Sequence, residues 1–226
     1  MLDAALLWIG FGLCHQLPER SLFGGTAQVP VCARDTGIYV GFIVSLLVLA
    51  ALQRNRPTGL PSLGVSLLLL GMLMVMVVDG VLSYAGIRET TNAMRLITGL
   101  AAGYAMAAVA APLINDELWR TASRERILSD WKRVLAWLAT MLLLFSGSYW
   151  LAPLLGVVYP LLVTVCILAT LTAVNMLIIL LLPRFGRQAE RLGDAWKALL
   201  LAFALSWFEI GLSALVKVAL ISAVGR

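Results

Sequence analysis

The chain reads as an all-α polytopic membrane protein, a bundle of six spanning helices plus a short N-terminal helix embedded in the membrane or lying on it. Three observations carry that expectation. Of 226 residues, 61% are hydrophobic and only 13% charged, where soluble domains carry about a quarter charged. The mean hydropathy of +0.94 implies more apolar side chain than an interior of this size can hide, so lipid must take it up. The basic residues, finally, gather in short connections between apolar runs.

In chain order, Leu2–Leu13 is apolar but about half a membrane long, which fits a short or re-entrant helix packed on the bundle. Asp3 stands where a cleavable signal would carry basic residues, so no such signal is expected. A full span needs roughly 20 mainly apolar residues at about 1.5 Å each. Six stretches qualify: Thr36–Leu52, Leu60–Asp79, Asn92–Ile114, Val134–Leu151, Tyr159–Leu182 and Ala198–Ala223. The first is short, and either extends upstream or sits shallow. The charged connections Asn115–Lys132 and Arg184–Lys197 read as interfacial helices solvated on one side, with Trp119 and Trp131 as anchors. No repeat or low-complexity tract interrupts the pattern. Residues 1–226 are expected to form a single integral membrane domain, with 1–100 its motif-bearing half and 101–226 the remaining helices.

Orientation follows from Lys and Arg counted over alternate connections. One side carries Arg54, Arg56, Arg120, Arg124, Arg126, Lys132, Arg133, Arg184, Arg187, Arg191 and Lys197, eleven in all. The other carries Arg20, Arg34, Arg88, Arg95, Lys217 and Arg226. The richer side is expected to face the cytoplasm. Loops 14–35 and 80–91 then lie together on the extracytoplasmic face of the cell membrane. Topology also accounts for the net charge of +5, so nucleic acid is not an expected partner and membrane lipid is.

The chemistry concentrates in those two loops. The first holds Cys14-His15-Gln16 and, further on, Cys32-Ala33-Arg34-Asp35, with the chain's single histidine and two of its three cysteines. Cys14, His15, Cys32 and Asp35 make a zinc-type donor set. Cys32 and Asp35 are spaced like the halves of a C-x-x-C knuckle, whereas adjacent Cys14 and His15 point apart in an extended loop. A Cys14–Cys32 disulfide fits an oxidising compartment equally, and a catalytic thiol or a His15 general base is a third reading. Three cysteines are too few for a disulfide scaffold, and Cys166 in an apolar span reads as inert packing.

The second loop runs from Asp79 to Gly99. An ionisable group near the headgroup level must be paired or face a wet cavity, so Asp79 is expected to pair with Arg95 or Arg88. Alternatively Arg88 and Arg95 grip a phosphate or carboxylate, helped by a helix N-terminus at Asn92. Asn92 could equally be just the N-cap. Gly99 and Gly103 form a small-xxx-small stripe that suits close helix packing. In the last span Ser206, Glu209, Ser213 and Lys217 recur at helical spacing, which makes a polar stripe facing the bundle or a cavity.

These residues resemble an uncharacterised bacterial family of integral membrane proteins classed as a domain of unknown function. Its pattern is C-H-Q-x-P-x-R-S, then C-x-R-C-x-G-x-Y, then D-G followed by R, N and R ahead of T-G. Cys14, His15, Gln16, Pro18, Arg20, Ser21, Cys32, Arg34, Gly37, Tyr39, Asp79, Gly80, Arg88, Asn92, Arg95, Thr98 and Gly99 match it. One departure matters: the second cysteine of C-x-R-C is Asp35 here, which excludes a dithiol in the Cys32–Asp35 pair and leaves a metal site intact. The resemblance brings no activity with it.

Three functions from different classes follow. The first is a membrane enzyme or metal-binding protein. In it, Cys14, His15, Cys32 and Asp35 hold zinc or another transition metal, and His15, Asp79, Arg88 and Arg95 act on an anionic, lipid-like substrate. The second is a small transporter or flippase with Glu209, Lys217, Asp79 and Arg95 along its path. The third is a non-catalytic subunit of a larger membrane complex, with other membrane proteins as partners.

Overall fold

The computed structural model describes the backbone of residues 2–224. Its helices are α1 (Leu2–Phe11), α2 (Ala33–Leu52), α3 (Leu63–Tyr84), α4 (Asn92–Leu118), α5 (Trp131–Ser146), α6 (Val158–Leu180) and α7 (Trp196–Val224). Six of the helical segments are long and apolar enough to cross a membrane, the fourth of them carrying α5 on through irregular turns to Leu155. The chain is an all-α polytopic membrane protein. Helix α1, at 10 residues, is too short to cross and packs against the loop that follows it and against α6 and α7.

Helix α4 is the axis of the bundle, with 72% of its most apolar window buried, against 17% to 44% in the other five spans. Its composition explains that position. Glycine and alanine line its contact with α2, and the backbones meet directly: a Cβ on Gly99 would stand 2.1 Å from the Arg34 carbonyl oxygen, and one on Gly103 would stand 2.3 Å from that of Ile38. Small residues allow this approach, and packing takes over the role that hydrophobic burial plays in water. Helix α3 packs on α4, α5 on α2 and α4, α6 on α2, and α7 chiefly on α6.

Both ends of the bundle carry extended structure that the apolar pattern does not foretell. At one end β1 (Ser21–Gly24) and β2 (Ala27–Cys32) form an antiparallel hairpin. Gly25, at φ 61°, supplies the left-handed turn residue, a conformation glycine adopts without steric cost. The hairpin tip lies on the α5–α6 connection, so close that a Cβ on Gly24 would meet the Gly156 carbonyl at 2.0 Å.

At the other end β3 (Pro57–Gly59) pairs in parallel with β4 (Ser123–Arg126). The interfacial helix expected over Asn115–Lys132 is therefore absent. Helix α4 stops at Leu118, and the segment beyond it supplies hydrogen-bond partners that the backbone of 57–59 would otherwise lack. Arg184–Lys197 is not a helix either, since Pro183, Gly186 and Gly193 interrupt it and only a single 3-10 turn, Leu192–Ala195, forms before α7.

Candidate functional site

The hairpin end gathers the chemically specific side chains. Cys32 is the N-cap of α2 and Asp35 its third helical residue, so both project from the same side of the first turn. Cys14 arrives from the α1 side, and its sulfur accepts the Cys32 backbone N–H at 3.2 Å. The two sulfurs and a carboxylate oxygen of Asp35 lie within 4.8 Å of one another. Tetrahedral zinc ligands at about 2.0–2.3 Å from the ion stand roughly 3.5–4 Å apart, so small rotamer changes suffice to close this triad on an ion.

The electrostatics ask for a cation. All three groups are anionic when ionised, and like charges so close disfavour ionisation together. The Asp35 carboxylate makes no hydrogen bond or ion pair among the described residues. The hydrogen bond from the Cys32 thiol, joined by backbone N–H groups, lowers the Cys14 thiol from 9.0 to about 7. That same bond, with burial and the Asp35 carboxylate, pushes Cys32 well above the ordinary thiol range. The pair thus shares one proton, with the first negative charge resting on Cys14. The N-terminus of α2, at Cys32, adds a partial positive charge to the same point.

His15 is not part of the triad. It is exposed, as alternation along an extended segment implies, and its ring lines an adjoining cavity instead. That cavity, about 100 Å³, is bounded by Cys14, His15, Cys32, Arg20, Arg34 and Arg95, with Tyr84 and Ser83 at its α3 side. Arg20, Ser83 and Arg95 also border a wider vestibule of about 420 Å³ that reaches Arg88, Glu19 and Glu89.

The acidic partner of the site differs from expectation. Asp79, 5% exposed, pairs with Arg34 and not with Arg88 or Arg95; Thr98 donates to the same carboxylate oxygen at 3.4 Å. The pair binds the first turn of α2 to α3 beneath the cavity. Removing either partner of such a buried pair would leave an uncompensated charge, a loss of about 3–5 kcal/mol. Asp79 does not line the cavity. Arg95, 9% exposed, does, with one guanidinium nitrogen on Asn92 Oδ1 at 3.1 Å.

Asn92 is not the N-cap of α4. Thr91 takes that role by accepting from the Met94 N–H at 3.3 Å. The Asn92 amide instead donates to the carbonyls of Glu19 at 3.2 Å and Ser21 at 3.1 Å, which ties α4 to the hairpin.

Two structural supports complete the site. Gln16, at a left-handed φ of 55°, donates to the carbonyls of Leu7 at 2.6 Å and Pro30 at 2.8 Å, joining α1 to β2. Lys217 donates to the carbonyls of Phe11 at 2.6 Å and Cys14 at 2.8 Å. Helix α1 has no basic residue in its last turn, and Lys217 of α7 satisfies the carbonyls left there. The polar stripe of α7 is otherwise engaged within the bundle. Ser213 donates to the Gly12 carbonyl, and Asn175 donates to both Ser206 and Glu209. Sequence reasoning had not assigned Arg20 or Arg34 to the site, although both lie in the motifs it singled out.

Residues 14–109 match the family described as predicted membrane protein DUF2085. That range holds the triad and every arginine around it. An uncharacterised protein of Methanocaldococcus jannaschii is 32% identical over 108 residues, which cover 48% of this chain and 67% of the relative. An uncharacterised protein of Methanothermobacter thermautotrophicus is 36% identical over 97 residues, covering 42% and 81%. Both relatives are archaeal. No solved structure matches. The chain belongs to the DUF2085 family of predicted membrane proteins.

Proposed function

We propose that this protein carries a transition-metal centre on the extracytoplasmic face of the cell membrane, with Cys14, Cys32 and Asp35 as ligands. The convergence of those three donor atoms within 4.8 Å carries the reading. Three protein ligands with a fourth position left open is the arrangement of catalytic zinc. Cys14 and Cys32 both border the cavity, so substrate or water entering it reaches the metal. His15, exposed on the same cavity, is placed to carry a proton. The arginines alongside suit an anionic, lipid-like substrate. The α7 hydrogen bonds, all satisfied within the bundle, favour a scaffolding role for that helix over a transport path.

Metal content of the detergent-purified protein, measured by mass spectrometry beside a thiol count, tests this. About one zinc or other transition-metal ion per chain is expected, lost in Cys32→Ala and Asp35→Ala and kept in His15→Ala. A protein without metal whose Cys14 and Cys32 react only after reductant would sink the proposal. The 3.2 Å approach of Cys32 to the Cys14 sulfur would then mark a disulfide staple, and the reading as a non-catalytic subunit of a larger complex would take over.

A further inference from the structure

Arginines outnumber acids around the cavity. Arg34 is neutralised by Asp79, but neither Arg20 nor Arg95 has an acidic partner among the described residues. Arg95 is nine-tenths buried, and a buried guanidinium without a counter-anion is costly unless a ligand supplies one. Its single side-chain hydrogen bond, to Asn92, uses one of five donors. The N-termini of α2 and α4 stand at the same end and add positive potential. Of the acids nearby, Glu19 and Glu89 border the outer vestibule and Asp79, held by Arg34, borders the groove beyond it; none of the three lines the inner cavity.

A second opening continues from this one toward the membrane. Arg88 borders both the vestibule and a largely apolar groove of about 280 Å³ on the α3–α4 surface, lined by Met74, Val75, Val78, Leu82 and Met94 together with Thr98 and the Asp79 that Arg34 neutralises. Met74 and Leu82, both on α3, lie eight positions apart, so at about 1.5 Å per helical residue the groove follows α3 for roughly 12 Å. Its outward residues, Met74, Val75 and Val78, are 47% to 56% exposed at the depth of the spans. A cationic head site joined through an arginine to an apolar groove matches one ligand shape, an anion on a hydrocarbon tail.

We propose that the cavity and groove together bind a lipid phosphate: the phosphate group between Arg20 and Arg95, with Arg88 at the neck and one acyl or prenyl chain along Met74–Val78. Guanidinium groups bind phosphate through paired, charge-assisted hydrogen bonds. The cavity holds several times the roughly 10–15 Å³ that one water needs, which is enough for a phosphate head and far too little for a whole lipid. The tail therefore lies outside, in the groove. The proposal rests on the metal-centre reading only in setting this phosphate beside the metal, since the arginines and the groove bind without it.

The test is native mass spectrometry of the full-length, detergent-purified protein titrated with phosphatidic acid, phosphatidylcholine or inorganic phosphate. Phosphatidic acid should be retained at least roughly tenfold more tightly than phosphatidylcholine, and Arg20→Gln and Arg95→Gln should each weaken it by roughly tenfold or more. Arg20 lies at the half-exposed mouth, so its variant tests the site even where Arg95→Gln fails to fold. Val78→Trp, which fills the groove, should weaken phosphatidic acid and leave inorganic phosphate unaffected. Equal binding of the two lipids, or an Arg20→Gln protein that binds as wild type, would overturn the proposal. Inorganic phosphate bound as tightly as phosphatidic acid, with no effect of Val78→Trp, would overturn it in favour of a soluble anion. A Cys14→Ser/Cys32→Ser protein should keep its preference for phosphatidic acid whatever its metal content, which separates failure of this proposal from failure of the metal centre.

Discussion

The Cys14 sulfur accepts hydrogen bonds from both the thiol and the backbone N–H of Cys32, and its proton is held at about 7 instead of 9.0. The direction of the shift fixes what pH should do. A lowered thiol pKa means that thiolate is present above pH 7 and lost below it. Near neutral pH Cys14 is therefore thiolate to a much greater extent than an ordinary thiol. In chelator-stripped protein, alkylation of Cys14 by iodoacetamide should rise through pH 7 and level off above it, while Cys32 stays protonated and slow. Cys32→Ala removes the thiol donor and should carry the Cys14 midpoint back toward 9. Equal midpoints in the two proteins would refute the pairing. Part of this was legible beforehand. Cys32 and Asp35 share a face because an N-cap and the third helical residue always do, and His15 turns away from Cys14 for an equally local reason. The partner of Asp79 was not legible. Arg34, Arg88 and Arg95 are equal candidates by charge, and only the packing of both α2 and α3 on α4, which brings together residues 45 apart in sequence, selects Arg34.

Among the elements, α2 and α4 set the geometry of the site, because Arg34 and Arg95 stand on their first turns and Gly99 is the point where the two backbones touch. A methyl group on Gly99 would meet the Arg34 carbonyl oxygen at 2.1 Å, and backbone cannot yield as a flexible side chain does. Gly99→Ala should therefore part the helices at the site itself, with an overpacking loss of about 1–3 kcal/mol. Gly71, on the lipid side of α3 with nothing within 4 Å of an added Cβ, is the control. Thermal unfolding in detergent should fall for Gly99→Ala and stay level for Gly71→Ala; equal curves would mean that the close approach is not needed. The Gly99–Gly103 spacing announced this contact, since small residues four apart always share a helix face. The hairpin gave little sign of itself. Pro30 lies within β2, and a proline there removes a ladder donor, so the strand is held by the Gln16 bond to the Pro30 carbonyl and by α1, contacts that local sequence does not display.

For the molecule as a whole, the apolar excess settles the class, and the charge asymmetry gives a direction that the fold makes testable. Asn92 bonds to the carbonyls of Glu19 and Ser21, so loops 14–35 and 80–91 share one end of the bundle whichever way it is inserted. Of the basic residues at that end, Arg34 is bound to Asp79 and Lys217 to backbone carbonyls, which leaves still fewer charges to hold it at the cytoplasm. The eleven at the opposite end include exposed Arg124. In a protein with Cys14, Cys32 and Cys166 changed to serine, Glu19→Cys and Glu89→Cys should react with a membrane-impermeant maleimide on intact cells, and Arg124→Cys only after lysis. Labelling of Glu19→Cys and Glu89→Cys from opposite sides would contradict the fold itself. Labelling of both only after lysis would invert the insertion and place the two thiols in a reducing compartment. That result would remove the disulfide alternative and leave the metal centre standing on the other face of the membrane.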